Sequence, residues 1–395
     1  MSKILAENTE GNQDAVSWTE VLARDGSALL TEGNRVQLYF SGDETFAAMI
    51  EEVARAEQFV NLEMYMFLSD AVGEMIAKAL SEKAGEGVPV RVVYDAIGSA
   101  AANQELFDEM RLAGVLVEVF RPVAPWRKRS GILGRNHRKN LIIDGRVAFT
   151  GGMNLGEVWS ERYREDSWRD THLMVEGPAA AACQRFFEEA WKKASGESLK
   201  EDCFYGIEES GPGKSACVVV GGSGFGKRRA IRRLFSGAFA NAKRHVVMTV
   251  PYFVPPKRVL KIMRRRSLEG VEVQVLVPRN SDVAFADWIR EGLYPSLMDD
   301  GVEIQEYLKR VLHAKTMVFD DCLSIVGSAN FDYLSISLNW ELGMVIDDPE
   351  IAKQLMVQHQ LDMKKSEKVD WDWTETRSWW RRVMSWLGAA IIRKL

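Results

Sequence analysis

One string, carried twice, constrains this chain more than anything else in it. His137-Arg-Lys139, Asp144 and Gly151-Gly152-Met-Asn154 recur as His313-Ala-Lys315, Asp320 and Gly327-Ser328-Ala-Asn330, with one shared spacing, His-x-Lys-x4-Asp-x6-Gly-[Gly/Ser]-x-Asn. Chance does not readily supply two such copies 176 positions apart, so one active site built from two related halves is expected. Arg138 to Ile143 and Ala314 to Phe319 alternate or run apolar as strands do. Residues i and i+2 of a strand share a face, so each His and its Lys are expected to point the same way.

The duplication extends beyond the motif. Gly87-Val-Pro-Val90 returns as Gly270-Val-Glu-Val273, and around both copies helical and strand-like stretches alternate in the same order. In the first series the patterning predicts helices over 44–57, 70–84 and 103–112 and strands over 59–67, 88–94 and 115–120. In the second it predicts helices over 231–242 and 256–268 and strands over 245–253, 271–277 and 301–307. Alternating elements of this kind predict an α/β fold, two tandem α/β sandwich domains forming a pseudo-twofold pair with one shared active site. The expected boundaries are an N-terminal segment 1–35, a first domain 36–195, a linker 196–215 containing Gly211-Pro-Gly213, a second domain 216–366 and a tail 367–395.

Composition narrows the choice of ligand. With 51 basic and 56 acidic residues, the net charge of −5 argues against a surface that grips nucleic acid throughout, so any anion site is local and no nucleic-acid partner is expected. The four cysteines, Cys183, Cys203, Cys217 and Cys322, lack metal-ligand spacing, and no cofactor or metal is expected. No apolar run reaches the ~18 residues of a membrane span, and residues 1–14 lack a signal-peptide layout. Gly221 to Lys227 superficially suggests a phosphate loop, but Arg228 follows the Lys where Ser or Thr is needed, and the stretch reads as a plain loop.

A phosphodiester repels nucleophiles, so its catalyst must neutralise the oxygens while an attacking atom lines up. Lys139, Lys315, Asn154 and Asn330 can supply that clamp. Two histidines, His137 and His313, can divide the remaining work, one attacking phosphorus and the other moving the proton. Each imidazole then needs an acceptor on its second nitrogen. Asp170 in Trp168-Arg-Asp170 and Glu341 in Asn339-Trp-Glu341 open apolar strands at matching places, Asp170 expected to serve the first half with His137 and Glu341 the second. Asp144 and Asp320 belong to the repeated set but are expected to stabilise turns rather than touch substrate. His172, His245 and His359 read as structural.

These residues resemble the phospholipase D superfamily, with its doubled His-Lys-Asp motif, over about Val36 to Met363. More narrowly, Arg135-Asn-His-Arg-Lys139, Trp168-Arg-Asp-Thr-His172, Tyr94-Asp-Ala-Ile-Gly-Ser99, Pro251-Tyr-Phe253 and Ser328-Ala-Asn-Phe-Asp332 are similar to bacterial cardiolipin synthases. Asp332-Tyr-Leu-Ser335, without the Arg-Ser common there, and the want of two spanning helices are similar to the shorter branch. The resemblance implies phospholipase D-like domains, condensation of two phosphatidylglycerols or a related lipid pair through a phosphatidyl-histidine, and His137 as nucleophile. Its alternatives are a phosphodiesterase hydrolysing phospholipid or nucleic acid, and a non-catalytic membrane-binding scaffold.

Two segments suit an anionic membrane surface. Residues 121–136 insert five basic residues (Arg121, Arg127, Lys128, Arg129 and Arg135) and Trp126 before His137, where the second half has a shorter approach. Residues 371–395 carry Trp371, Trp373, Trp379, Trp380 and Trp386 with five basic residues, and Trp380, Val383, Met384, Leu387 and Ile391 fall on one helical stripe. A cytoplasmic protein held peripherally on the inner face of the cell membrane is expected.

Overall fold

A strand buried on both faces turns apolar residues toward each layer, or polar ones that find partners there. Val60–Met64 shows how this chain meets that demand. Val60, Leu62 and Met64 lie in a core with Phe46, Ile76 and Leu80, while Asn61 and Glu63 face the opposite layer, where Asn61 Nδ2 donates to Gln184 Oε1 at 3.0 Å. A computed structural model describes residues 28–123, 133–199, 211–222, 229–375 and 379–392.

The first half runs β1 (Ala28–Tyr39), α1 (Gly42–Ala54), β2 (Val60–Met64), α2 (Ala71–Gly85), β3 (Val90–Asp95), α3 (Gln104–Leu112), β4 (Leu116–Phe120), β5 (Lys139–Ile143), β6 (Val147–Gly151), β7 (His172–Glu176) and α4 (Pro178–Ser195). The second runs β8 (Ser215–Gly222), α5 (Arg229–Asn241), β9 (His245–Thr249), β10 (Phe253–Val254), α6 (Lys257–Leu268), β11 (Glu272–Pro278), α7 (Ala284–Asp299), β12 (Glu303–Tyr307), β13 (Thr316–Phe319), β14 (Leu323–Gly327), β15 (Phe331–Asp332), α8 (Tyr333–Ser337), β16 (Glu341–Asp347), α9 (Pro349–Met363) and β17 (Ser366–Lys368). Helices α10 (Trp371–Glu375) and α11 (Trp379–Ile392) follow. Polar side chains start several helices: Asp70 accepts from Gly73 N and Asp348 from Glu350 N.

The strand order β7-β6-β5-β2-β3-β4 is repeated as β16-β14-β13-β9-β11-β12, the duplication made visible. Both arrays belong to one 15-stranded sheet, joined through β8 and β1. β1 pairs antiparallel with β8 over its first residues and with β7 from Arg35 onward, with an irregularity between Thr31 and Asn34. The expected boundary at residue 36 therefore cuts through a strand that both halves share. The core reads the same way, since Phe186 and Trp191 of α4 share a cluster with Val219, Met344 and Leu355 of the second half. Of the expected linker, residues 200–210 lie outside the described residues, and β8 begins at Ser215. The loop read at 221–227 begins as the last two residues of β8, with 223–228 outside the described residues.

Candidate active site

Each motif histidine sits just before a strand, His137 before β5 and His313 before β13, and its backbone is fixed by the other half. His137 N donates to Trp340 O at 2.9 Å and Trp340 N to Arg135 O at 2.8 Å. In the second half His313 N donates to Arg169 O at 2.7 Å and Arg169 N to Val311 O at 2.9 Å. The residue after Trp340 is Glu341 and the residue after Arg169 is Asp170, so these bridges deliver each carboxylate to the opposite histidine.

His137 Nδ1 lies 3.1 Å from Glu341 Oε2, and His313 Nδ1 lies 2.6 Å from Asp170 Oδ2. The expected pairing of Asp170 with His137 and Glu341 with the second half is thereby corrected: the pairs are exchanged. The physical reason is the facing of two related halves, which sets the approach to each motif beside its partner's strand rather than its own. Both carboxylates occupy the Nδ1 side, which leaves Nε2 of His137 for chemistry, while Nε2 of His313 faces Lys315 Nζ.

The two pairs are braced differently. Asp170 also accepts from Trp159 Nε1 at 3.1 Å and from Thr171 N at 2.8 Å. Glu341 accepts from Ser328 Oγ at 2.5 Å, while its Oε1 is buried without a partner. The motif's Gly/Ser variation explains the difference. A Cβ on Gly152 would come 2.1 Å from Asp170 Oδ1, so only glycine fits there, whereas Ser328 at the matching place supplies a hydroxyl to its carboxylate.

The lysines are buried. Lys139 Nζ donates to His137 O at 2.7 Å, and Lys315 Nζ donates to His313 O and lies 2.7 and 3.0 Å from His313 Nδ1 and Nε2. Burial, then the Lys315 charge, brings Lys139 down to about 7, and burial brings Lys315 down to about 8 against the pull of Asp170. His313 falls to about 4 by burial and the Lys315 charge, and burial lowers His137 despite Glu341. Burial pushes Asp170 up, but Lys315, His313 and the Thr171 amide outweigh it and hold the carboxyl at about 2. The imidazoles are thus held toward the neutral form and the carboxylates toward the ionised one. An arriving phosphodiester anion offsets the lysine charges and favours the proton that an acid needs.

Asn154 Oδ1 accepts from Met66 N at 3.1 Å, which leaves its NH2 as a donor; Asn330 Oδ1 is buried without a partner. Asp144 and Asp320 lie elsewhere. Asp144 accepts from the amides of Glu57, Gln58 and Phe59 at 2.8–2.9 Å, and Asp320 from those of Lys243, Arg244 and His245 at 2.7–3.1 Å. Both have positive φ, +52 and +53, at the far ends of β5 and β13, roughly 16 Å of strand from the lysines. Both therefore pin the turns before β2 and β9, the part expected of them, and stand apart from the other members of the doubled set.

Several site residues escaped the sequence reading. Asp95 accepts from Arg135 Nε at 3.0 Å and from Asn136 N at 2.9 Å, fixing the approach to His137. Arg135 is therefore buried and spoken for, not a surface cation as expected; Arg127, Lys128 and Arg129 lie outside the described residues. Tyr65 packs edge-on to His137 with ring centroids 4.7 Å apart, and Trp159 and Trp168 flank His313 at 5.9 and 5.2 Å. Its place inside the stretch Tyr94 to Ser99 was the sequence signal for Asp95.

Known proteins match the chain over most of its length. The family described as "Cardiolipin synthase, PLD-like domain" matches residues 49–191 and 236–362. A cardiolipin synthase of Clostridium perfringens is 34% identical over 92% of this chain and 76% of its own length, and cardiolipin synthase 1 of Bacillus cereus is 28% identical over 94% and 75%. Among solved structures, phosphatidylserine synthase of Haemophilus influenzae has the same fold, with a TM-score of 0.70 and 14% identity over 91% of this chain and 93% of that one. With its doubled motif, its paired sandwiches and these matches, the chain belongs to the phospholipase D-like cardiolipin synthase family.

Proposed function

We propose that this phosphatidyltransferase condenses two phosphatidylglycerols, or a closely related lipid pair, to cardiolipin through a phosphatidyl-histidine. The crossed pairs His137–Glu341 and His313–Asp170 carry the reading, because they give two imidazoles of fixed tautomer that share one pair of lysines. Neutral His137 Nε2 attacks phosphorus, and protonated His313 gives its proton to the glycerol oxygen as the P–O bond breaks. His313, now neutral, takes the proton of the acceptor hydroxyl. That oxygen attacks phosphorus, the P–N bond breaks, and its electron pair returns to His137. Lys139, Lys315 and the NH2 group of Asn154 stabilise the charge on the non-bridging oxygens throughout. The names of the matched relatives support the lipid class.

Purified protein incubated with phosphatidylglycerol vesicles in buffer containing a chelator is expected to yield cardiolipin and free glycerol by mass spectrometry. Phosphatidic acid as the sole lipid product would replace transfer by hydrolysis, and a need for added metal would overturn the scheme.

The partner in this reading is an anionic membrane, approached from its inner face. No helix among the described residues is long and apolar enough to cross one. α11 lies along α7, with Arg381 and Ser385 turned to the buried Glu291. Trp379, Trp380 and Val383 stay 77%, 46% and 47% exposed, the reverse of what a helix packed for water presents. The side chains of Trp386, Leu387 and Ile391, and all of Arg377, Arg393 and Lys394, lie outside the described residues. Trp373 differs from its neighbours, packing on Tyr294 and donating to Glu306, so removing the whole tail would damage the core. The cleaner test is Trp379→Ser with Val383→Ser. Sedimentation with phosphatidylglycerol vesicles is expected to weaken about tenfold or more, from the apolar area withheld from the membrane. Undiminished sedimentation would dispose of the anchor.

A further inference from the structure

The two halves part company at one place beside the second motif. In the first half Phe67 bridges Leu155 in parallel, and one residue earlier Met66 N donates to Asn154 Oδ1. The second half repeats the bridge as Phe253 with Phe331, which sets Tyr252 alongside Asn330. There the matching backbone bond is not made, and Asn330, 5% exposed, keeps an Oδ1 without a partner. Where the first half has the thioether of Met66, Tyr252 brings a phenol that donates to Asp282 Oδ1 at 2.5 Å. β3 ends on a carboxylate, Asp95, turned inward on Arg135; the loop after β11 leaves Asp282 exposed. The charge of Asp282 acts on His313 and Lys315 and, across the site, on Tyr65 of the first half.

A carboxylate in that position repels a phosphodiester, so it serves a part of the substrate that is not anionic. The free Asp282 oxygen and the Tyr252 phenol oxygen accept hydrogen bonds, and the Asn330 amide both donates and accepts. Neighbouring hydroxyls, each a donor and an acceptor, match all three. An ammonium headgroup has donors only and would leave the Asn330 NH2 unmatched.

We propose that Asp282, Tyr252 and Asn330 form a polyol subsite that holds the vicinal hydroxyls of a glycerol headgroup beside His313. The leaving glycerol and the entering acceptor use it in turn, which puts proton transfer on the His313 side. The inference rests on phosphatidylglycerol as the substrate.

Competition for one phosphoenzyme tests it, because the ratio of products is independent of how fast that intermediate forms. Phosphatidylglycerol vesicles are incubated with equal concentrations of deuterated glycerol, ethanol and ethanolamine, and the exchanged lipids are counted by mass spectrometry. The unaltered protein is expected to favour glycerol over ethanol. Asp282→Asn should lower that preference about tenfold or more, as loss of a charged acceptor does, and Tyr252→Phe by a smaller factor. An unchanged ratio, or a change confined to ethanolamine, would overturn the subsite whatever the total rate. Cardiolipin formation without exchange of any of the three alcohols would likewise overturn the subsite, and if neither cardiolipin nor an exchanged lipid forms, the transferase reading itself fails.

Discussion

His137→Ala is expected to abolish phosphatidyl transfer, and His313→Ala to lower it by about 10²–10⁴. The informative difference appears with a phosphatidyl ester of p-nitrophenol, whose leaving group needs no proton. His313→Ala should then still release one equivalent of p-nitrophenol in a burst and hold the lipid on the protein, while His137→Ala should show no burst and no adduct. The crossed geometry extends the test to the carboxylates. Glu341 braces His137 and Asp170 braces His313. Glu341→Gln should therefore weaken the burst, and Asp170→Asn should spare it and slow the release of the adduct. The opposite grouping would mean that the pairs act within each half, as the linear order suggests. Peptide mapping of the trapped adduct to His313 would reverse the two roles.

The contrast between those groupings shows what the sequence could and could not convey. Equal spacing was enough to place each His and Lys at the start of a strand, because period-2 alternation and the turn at Asp144 and Asp320 are local. The repeated alternation of helices and strands showed the α/β class of each half, but not the order of strands in the sheet. The exchange of Asp170 and Glu341 was not legible, because it depends on bridges between segments far apart in the chain, Asn136 with Trp340 and Arg169 with Leu312. β1 was hidden for a similar reason: a strand shared between the two halves has no place in either half's repeated pattern. α7 escaped because Pro295 lies inside it, and a Pro there reads as a break. Asp95 and Asp282 end up with opposite duties, one at the end of β3 inward on Arg135 and one in the loop after β11 outward with Tyr252.

Arg138, the residue between His137 and Lys139, has the largest expected effect on stability. It is fully buried and ties the halves together, donating to Glu341 O, Phe186 O and Gly222 O at 2.8–3.2 Å and lying over the rings of Phe186 and Trp340. Its charge faces Glu63 and Glu189, each 3.6 Å away. Burial raises Glu63 to about 7 even with Arg138 and Asn136 opposing it. Arg138→Ala leaves that carboxyl uncompensated and three carbonyls without a donor, so a loss of about 3–5 kcal/mol is expected, read as a Tm lower by roughly 5–10 °C. Lys in its place restores a charge but not the three-way fork. The pH dependence identifies the cause. A carboxyl whose folded pKa is raised favours the folded state below that pKa and loses this advantage as pH rises through it. Removing Arg138 raises Glu63 further, so the gap between the two proteins should widen from pH 6 to pH 8. In a Glu63→Gln background the gap should be smaller and flat across that range. A gap that ignores both pH and Glu63 would assign the effect to lost packing between the halves instead of to the buried charge.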